Sequence, residues 1–283
     1  MEKLSEKITD INEIRAMVEK RRMEEEKTRG SGSGGDEGLP SHFVRACLRT
    51  NQLGDGELFK ALHRYKFLYC KNLQTWLRWA GHHWKEDTMD AALAAVEDVA
   101  DAYEKEAAKT RDEMGQTHDK HIRKGLSRMV DALESRANQL RGDNRRQACL
   151  KFAHTTKDPL AIEGGELDSN PMLLGCRNGV VELTNGRFRD GRPDDYILKA
   201  SPHGWEGIDH PCPTWEKAVL DIQDGDERMV LFWQRLLGMA ICGKVVEKIF
   251  PVLIGPGGDN GKTTMIEAVS YAIGPLGGPV SSD

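Results

Sequence analysis

Residues 248–265 read Lys248-Ile-Phe-Pro-Val-Leu-Ile-Gly-Pro-Gly-Gly-Asp-Asn-Gly-Lys-Thr-Thr-Met265. The apolar run 249–254, bounded by Gly255, predicts a buried strand, and Thr263 onward predicts a helix. Between them lies a glycine-rich loop closing on Gly261-Lys262-Thr263. A loop of this kind aims backbone N–H groups and a helix N-terminus at phosphate oxygens. Gly257, Gly258, Asp259, Asn260, Gly261 and Thr264 are the expected cradle, with Lys262 on the outer phosphates and the Thr263 hydroxyl on Mg²⁺. Lys262 and Thr263 are the expected catalytic pair, and ATP with Mg²⁺ the expected ligands. Pro256 stands five positions before Gly261, where the general pattern has glycine. Proline has no N–H to give a phosphate, so the loop is shaped instead by Gly257 and Gly258.

Upstream of the loop, the charge pattern is uneven. The formal net charge is -5, yet residues 86–119 carry eleven Asp/Glu against three Lys/Arg, and residues 120–151 carry nine Lys/Arg against three Asp/Glu. The basic segment makes Arg123, Lys124, Arg128, Arg145 and Arg146, with Lys120 and Arg136, candidates for nucleic-acid phosphates. A solvated helix surface explains the same charges. The N-terminus is charged from Glu2 with no apolar core of a secretory signal, and no run is apolar enough to span a bilayer. The six cysteines form no Cys-x-x-Cys pair, which argues for a reduced, cytoplasmic setting and against a zinc knuckle or disulfide framework. His118 and His121 are three apart but lack a matching ligand set, and His210 with Cys212 likewise.

The chain divides into a charged helix at 1–28, a Gly/Ser-rich linker at 29–40, a mainly helical domain at 41–247, and the opening of a nucleotide-binding core at 248–283. Within the helical domain a turn is expected from Asn51 to Gly56, and an aromatic β-hairpin from Thr75 to Lys85. Long helices are expected at 87–112 and 117–140. A second hairpin turns at Thr184-Asn185-Gly186, and further helices follow at about 214–223 and 226–241. The fold class is therefore mainly α with small β-hairpins (α+β), joined to the first strand, P-loop and helix of an AAA+-like α/β core. Trp76, Trp79 and Trp84 could stack unpaired bases, although burying the hairpin is the simpler use of three indoles.

Four segments in this order resemble the phage/plasmid DNA primase–helicase family of the satellite-phage type, whose motor is a superfamily 3 helicase. They are Trp76-Leu-Arg-Trp79-Ala-Gly81-His-His-Trp84, the hairpin region from Leu167 to Gly186, the helix from Gly225 to Gly238, and Asn260-Gly261-Lys262-Thr263-Thr264. The resemblance covers roughly residues 41–283. It implies an ATP-dependent ring, hexameric when complete, that moves along single-stranded DNA at replication origins in a bacterial cell or phage-infected host. It also implies that the acidic strand end, polar sensor and arginine finger of the motor lie beyond Asp283. The alternative is a non-catalytic DNA-binding or assembly module whose phosphate loop is vestigial. A small-molecule P-loop kinase fits less well, because its acceptor-binding segments would follow the loop.

Overall fold

The computed structural model describes residues 39–244, 247–255, 257–258 and 260–278. The helix and most of the linker expected at 1–40 lie outside them, as do Pro256 and Asp259. The chain divides into two compact units, one of residues 1–78 with 86–163 and one of residues 79–85 with 164–283.

The first unit is built around a helix that the sequence disguises. Helix α1, Ser41–Arg49, buries Phe43, Val44 and Cys47, and a short turn at Thr50 and Asn51 leads into α2, Gln52–His63. Asn51 has a positive φ at the break (φ 59°, ψ -136°), a conformation that L side chains rarely adopt. The turn expected to run to Gly56 is thus confined to its first residue. Glycine costs a helix about 1 kcal/mol relative to alanine, but here its lack of a side chain is what lets α2 sit centrally. A Cβ at Gly54 would overlap the Cys47 carbonyl, and one at Gly56 would lie 2.7 Å from Phe152 Cβ. Consequently every residue from Gly54 to Lys60 is buried.

Around α2 lie a short α3, Ala91–Ala94, the long α4, Val96–Gln116, and α5, Lys120–Leu140. The helix expected from 87 begins only at Ala91, because the Asp87 carboxylate accepts the N–H groups of Ala91 (2.8 Å) and Ala92 (2.7 Å). Helix α4 buries Val96, Val99, Ala100, Tyr103, Ala107 and Thr110, a stripe at helical spacing. Helix α5 answers with Val130, Leu133, Ala137 and Leu140, and Asp119 caps it by accepting the N–H groups of His121 and Ile122. An unanticipated helix follows, α6 at Asp143–Thr155. The strands are β1 (Phe67–Cys70), β2 (Thr75–Trp79), β3 (Trp84–Glu86) and β4 (Ala161–Ile162), in the order β3-β2-β1-β4. β1 and β2 are antiparallel with Phe67 opposite Arg78, and β1 and β4 are parallel.

One buried group sets a pH limit on this unit. His63 is 2 % exposed, and its Nε2 lies 3.2 Å from the Ala95 carbonyl. Burial lowers its pKa to about 4 despite nearby Asp98. The native imidazole stays neutral while the unfolded one takes up a proton below 6.5, so stability is full above that pH and falls towards 4. We expect the unfolding free energy from urea denaturation to drop between pH 6.5 and 5, by roughly 2 kcal/mol for His63, a window in which ordinary carboxylates stay charged. His63→Gln should flatten the profile; an unchanged slope would refute the assignment. Nearby, Lys60 is 1 % exposed and pairs with Glu57 at 2.9 Å. Its ammonium also donates to the carbonyls of Lys157 (3.3 Å) and Asp158 (2.9 Å), just past the end of α6.

The second unit holds a three-stranded antiparallel sheet, β5 (Leu173–Cys176), β6 (Gly179–Glu182) and β7 (Arg187–Arg189). The β6–β7 turn contains Asn185 and Gly186, with Gly186 at φ 69°, as its sequence required. Trp84 is buried in this unit, where its indole donates to the Pro193 carbonyl (2.9 Å) and meets Trp79 edge-on at 5.2 Å. Helices α7 (Pro213–Ile222) and α8 (Glu227–Ile241) fall close to their expected positions. Asp226 caps α8 by accepting the N–H groups of Arg228 and Met229. Helix α9 follows at Lys262–Ile273.

The strand expected at 249–254 does not form: 247–255 carry no strand, and Phe250, Val252 and Ile254 are 88, 66 and 90 % exposed. A central parallel strand draws its backbone hydrogen bonds and its apolar cover from neighbours. Among the described residues no strand pairs with this one. The structure is thus a mixed α+β fold, about half helical with small sheets. Among the described residues, no helix is long and apolar enough to cross a membrane.

Candidate functional site

The glycine-rich loop closes on α9 with Gly261 in the left-handed region (φ 72°), and Gly257 has φ 73°. Both conformations suit glycine and few other residues. Gly261 has a second reason to be glycine, which its sequence context does not reveal: a Cβ there would lie 2.5 Å from Ile222 Cγ1. Within the loop, Lys262 Nζ donates to Asn260 Oδ1, and Asn260 Nδ2 donates to the Gly257 carbonyl (3.4 Å). A Cβ at Gly255 would strike Asn260 and Lys262. The first intrahelical bond of α9 runs from Met265 N–H to the Gly261 carbonyl. Among the described residues no side chain caps the helix, and the N–H groups of Lys262, Thr263 and Thr264 have no partner there. Thr263 and Thr264 are exposed, and Gly258 is exposed beside Gly257.

The basic candidates separate into two groups. Arg123, Lys124 and Arg128 lie on the exposed surface of α5, with no ion pair among the described residues. Arg145 is instead turned inward: its guanidinium meets the fully buried Asp55 at 2.7 Å and donates to Asn51 Oδ1 at 2.8 Å. Arg136 reaches the same carboxylate at 2.9 Å, and Tyr103 donates its hydroxyl to it at 2.9 Å. Arg146 pairs with Glu97 at 2.9 Å. Arg141 holds Glu97 (2.7 Å) and Glu104 (2.5 Å), and Arg45 holds Glu106 and Glu113. Much of the contrast between the acidic and basic stretches is therefore satisfied inside the first unit. His118 and His121 are exposed at the start of α5, and His210 pairs with Glu206 at 2.8 Å.

The first unit also contains a cavity of about 730 Å³ between α3, α6 and the β1–β2 hairpin. Its aromatic wall is Tyr69, Trp76 and His154, with Tyr69 and His154 stacked at 3.9 Å and 16°. The α6 contribution, Asn144, Gln147, Lys151 and His154, occupies one helical face. Sequence reasoning singled out Trp76 but not its partners, which come from four separate elements.

Comparison with known proteins gives the family of part of the chain. The model of a family described as D5 N terminal like matches residues 56–224. The chain belongs to the D5 N-terminal-like family. The match takes in α3–α7 and most of α2, together with β1–β7, and stops before α8, so the phosphate loop lies outside it. Among curated proteins, the chain is 28 % identical over 228 residues to "Putative helicase L207/L206" of Acanthamoeba polyphaga mimivirus, covering 77 % of this chain and 23 % of that protein. It is 24 % identical over 174 residues to "Putative helicase 022R" of Frog virus 3, covering 49 % of this chain and 17 % of that protein. The chain thus spans less than a quarter of the length of either relative.

Proposed function

We propose that this chain is the part of a phage- or virus-type DNA primase–helicase in which a D5 N-terminal-like accessory domain leads into the phosphate loop of a superfamily 3 ATPase motor. The observation that carries the proposal is the N-terminus of α9, which no side chain caps among the described residues and where Lys262 donates to Asn260 in a loop whose Gly257 and Gly261 have positive φ. That arrangement suits a polyphosphate, since its donors are backbone N–H groups and one ammonium. Gly257, Gly258, Asp259, Asn260, Gly261 and Thr264 would form the cradle. Thr263 would ligate Mg²⁺, which when bound neutralises charge on the β- and γ-phosphates. The complete protein would act as a cytoplasmic, ring-shaped oligomer, hexameric by resemblance, moving on single-stranded origin DNA. The helicase names of both relatives support that assignment.

ATP binding by this chain tests the proposal directly. Affinity measured calorimetrically should fall when Mg²⁺ is chelated, and again in Thr263→Ala. No binding at all, or binding indifferent to both changes, would favour a non-catalytic module. The DNA-facing half is tested through salt dependence. Replacing Arg123, Lys124 and Arg128 together by alanine should weaken single-strand binding. It should also flatten the plot of log affinity against log salt by about 0.7 for each phosphate that is no longer neutralised. An unchanged slope would remove this face from the interface.

A further inference from the structure

The cavity of the first unit is a second place where nucleotide chemistry fits, and it owes nothing to the phosphate loop. Tyr69 and His154 stack, while Trp76 stands edge-on to both, at 5.4 Å and 71° to Tyr69 and 5.7 Å and 83° to His154. All three rings are only half-buried and line the cavity. Lys71 fixes the stack from outside: its ammonium donates to the His154 carbonyl (2.8 Å), reaches His154 Nδ1 (3.1 Å) and lies 5.3 Å from the centre of the Tyr69 ring. Burial and the charge of Lys71 hold the His154 pKa down to about 4, so at neutral pH the ring is an uncharged acceptor for that ammonium.

Beside the rings, the hairpin and α6 add polar groups to the lining, while α3 contributes Ala92 and Leu93 with Asp90 at its start. The side-chain amides of Gln74, Asn144 and Gln147 are exposed and make no hydrogen bond among the described residues. Each offers a donor and an acceptor on one planar group, the pattern that pairs with the edge of a base. Lys151 is exposed on the same helical face. The carboxylate of Asp87, also in the lining, is occupied by the N–H groups of Ala91 and Ala92. A volume of 730 Å³ lies in the range of small-ligand sites and is too small for a folded partner. Aromatic walls and amides also suit a sugar, but a neutral sugar has no use for the exposed Lys151.

We propose that this cavity takes one unpaired base of a single-stranded nucleic acid, stacked against the aromatic wall, its edge read by Gln147 and Asn144 and its phosphate met by Lys151. The proposal rests on the single-strand role given above but not on the phosphate loop.

The test uses the full chain and a DNA oligonucleotide carrying one 2-aminopurine, whose emission is quenched when it stacks. Binding should quench the emission, and Asn144→Ala with Gln147→Ala should raise the dissociation constant about tenfold, a loss within the range of two hydrogen bonds. Both positions are exposed on α6, so the fold is expected to survive their change. Trp76→Phe, which keeps an aromatic wall, should preserve the quench. Quenching and affinity unchanged in the double variant would place the base elsewhere and overturn the proposal, as would failure of any oligonucleotide to quench. Equal binding of free 2-aminopurine nucleotide would reassign the cavity to a mononucleotide. ATP binding at the loop without quenching would sink the cavity alone, whereas quenching without ATP binding would sink the motor and leave the cavity standing.

Discussion

Asp55→Ala is expected to destabilise the first unit by ~3–5 kcal/mol, the cost of removing one partner from a buried ion pair. The carboxylate is fully buried in α2 and accepts from three side chains: Tyr103, Arg136 and Arg145. The two guanidiniums are themselves only 12 and 14 % exposed. Alanine would strand both positive charges and the tyrosine hydroxyl in a site that water reaches poorly. Against a total stability of about 5–15 kcal/mol for a domain, that loss is large enough to unfold the unit near physiological temperature. Asp55→Asn separates charge from shape. It retains an acceptor for Tyr103 but removes the counter-charge, and should fall between the wild type and the alanine variant. Urea denaturation followed by near-ultraviolet circular dichroism measures both, with the slope expected to stay constant. A shift below about 1 kcal/mol for alanine would mean that solvent already screens the guanidiniums, and the network would then rank with ordinary surface pairs.

That network also marks where the sequence stops being readable. Helices α7 and α8, the aromatic hairpin and the Asn185-Gly186 turn were legible, because periodicity and turn chemistry are local properties. The same local logic misread Gly54 and Gly56. Two glycines flanking an aspartate look like a turn, and only the carbonyl of Cys47 and the backbone around Phe152 explain why a helix needs them. Charge misleads for a similar reason. Arg145 and Arg146 look like part of one basic surface, but their partners Asp55 and Glu97 are 90 and 49 positions away. The run 249–254 has the composition of a buried strand, yet a strand is completed by its neighbours rather than by its own residues. The cavity was hidden most fully, since an aromatic wall drawn from β1, β2 and α6 has no signature in any single segment.

The largest functional effect should come from Lys262→Ala, which follows from the proposed motor. In the structure its ammonium donates to Asn260 Oδ1 within the loop. Binding would exchange the amide oxygen for charged phosphate oxygens, a stronger partner for an ammonium. In the protein extended through its motor, ATP turnover should fall roughly a hundred- to a thousandfold, as when one preorganised donor to developing charge is removed. Stability should barely change, because Asn260 is its only hydrogen-bond partner among the described residues. Asn260→Ala provides the discriminating comparison. If Asn260 merely restrains the lysine before binding, its loss should leave turnover within about tenfold of wild type, far above Lys262→Ala. Equal losses in both variants would show that the two side chains act as one unit on the phosphate. Undiminished turnover in Lys262→Ala would remove the loop from the chemistry altogether, and with it the proposed ATPase motor.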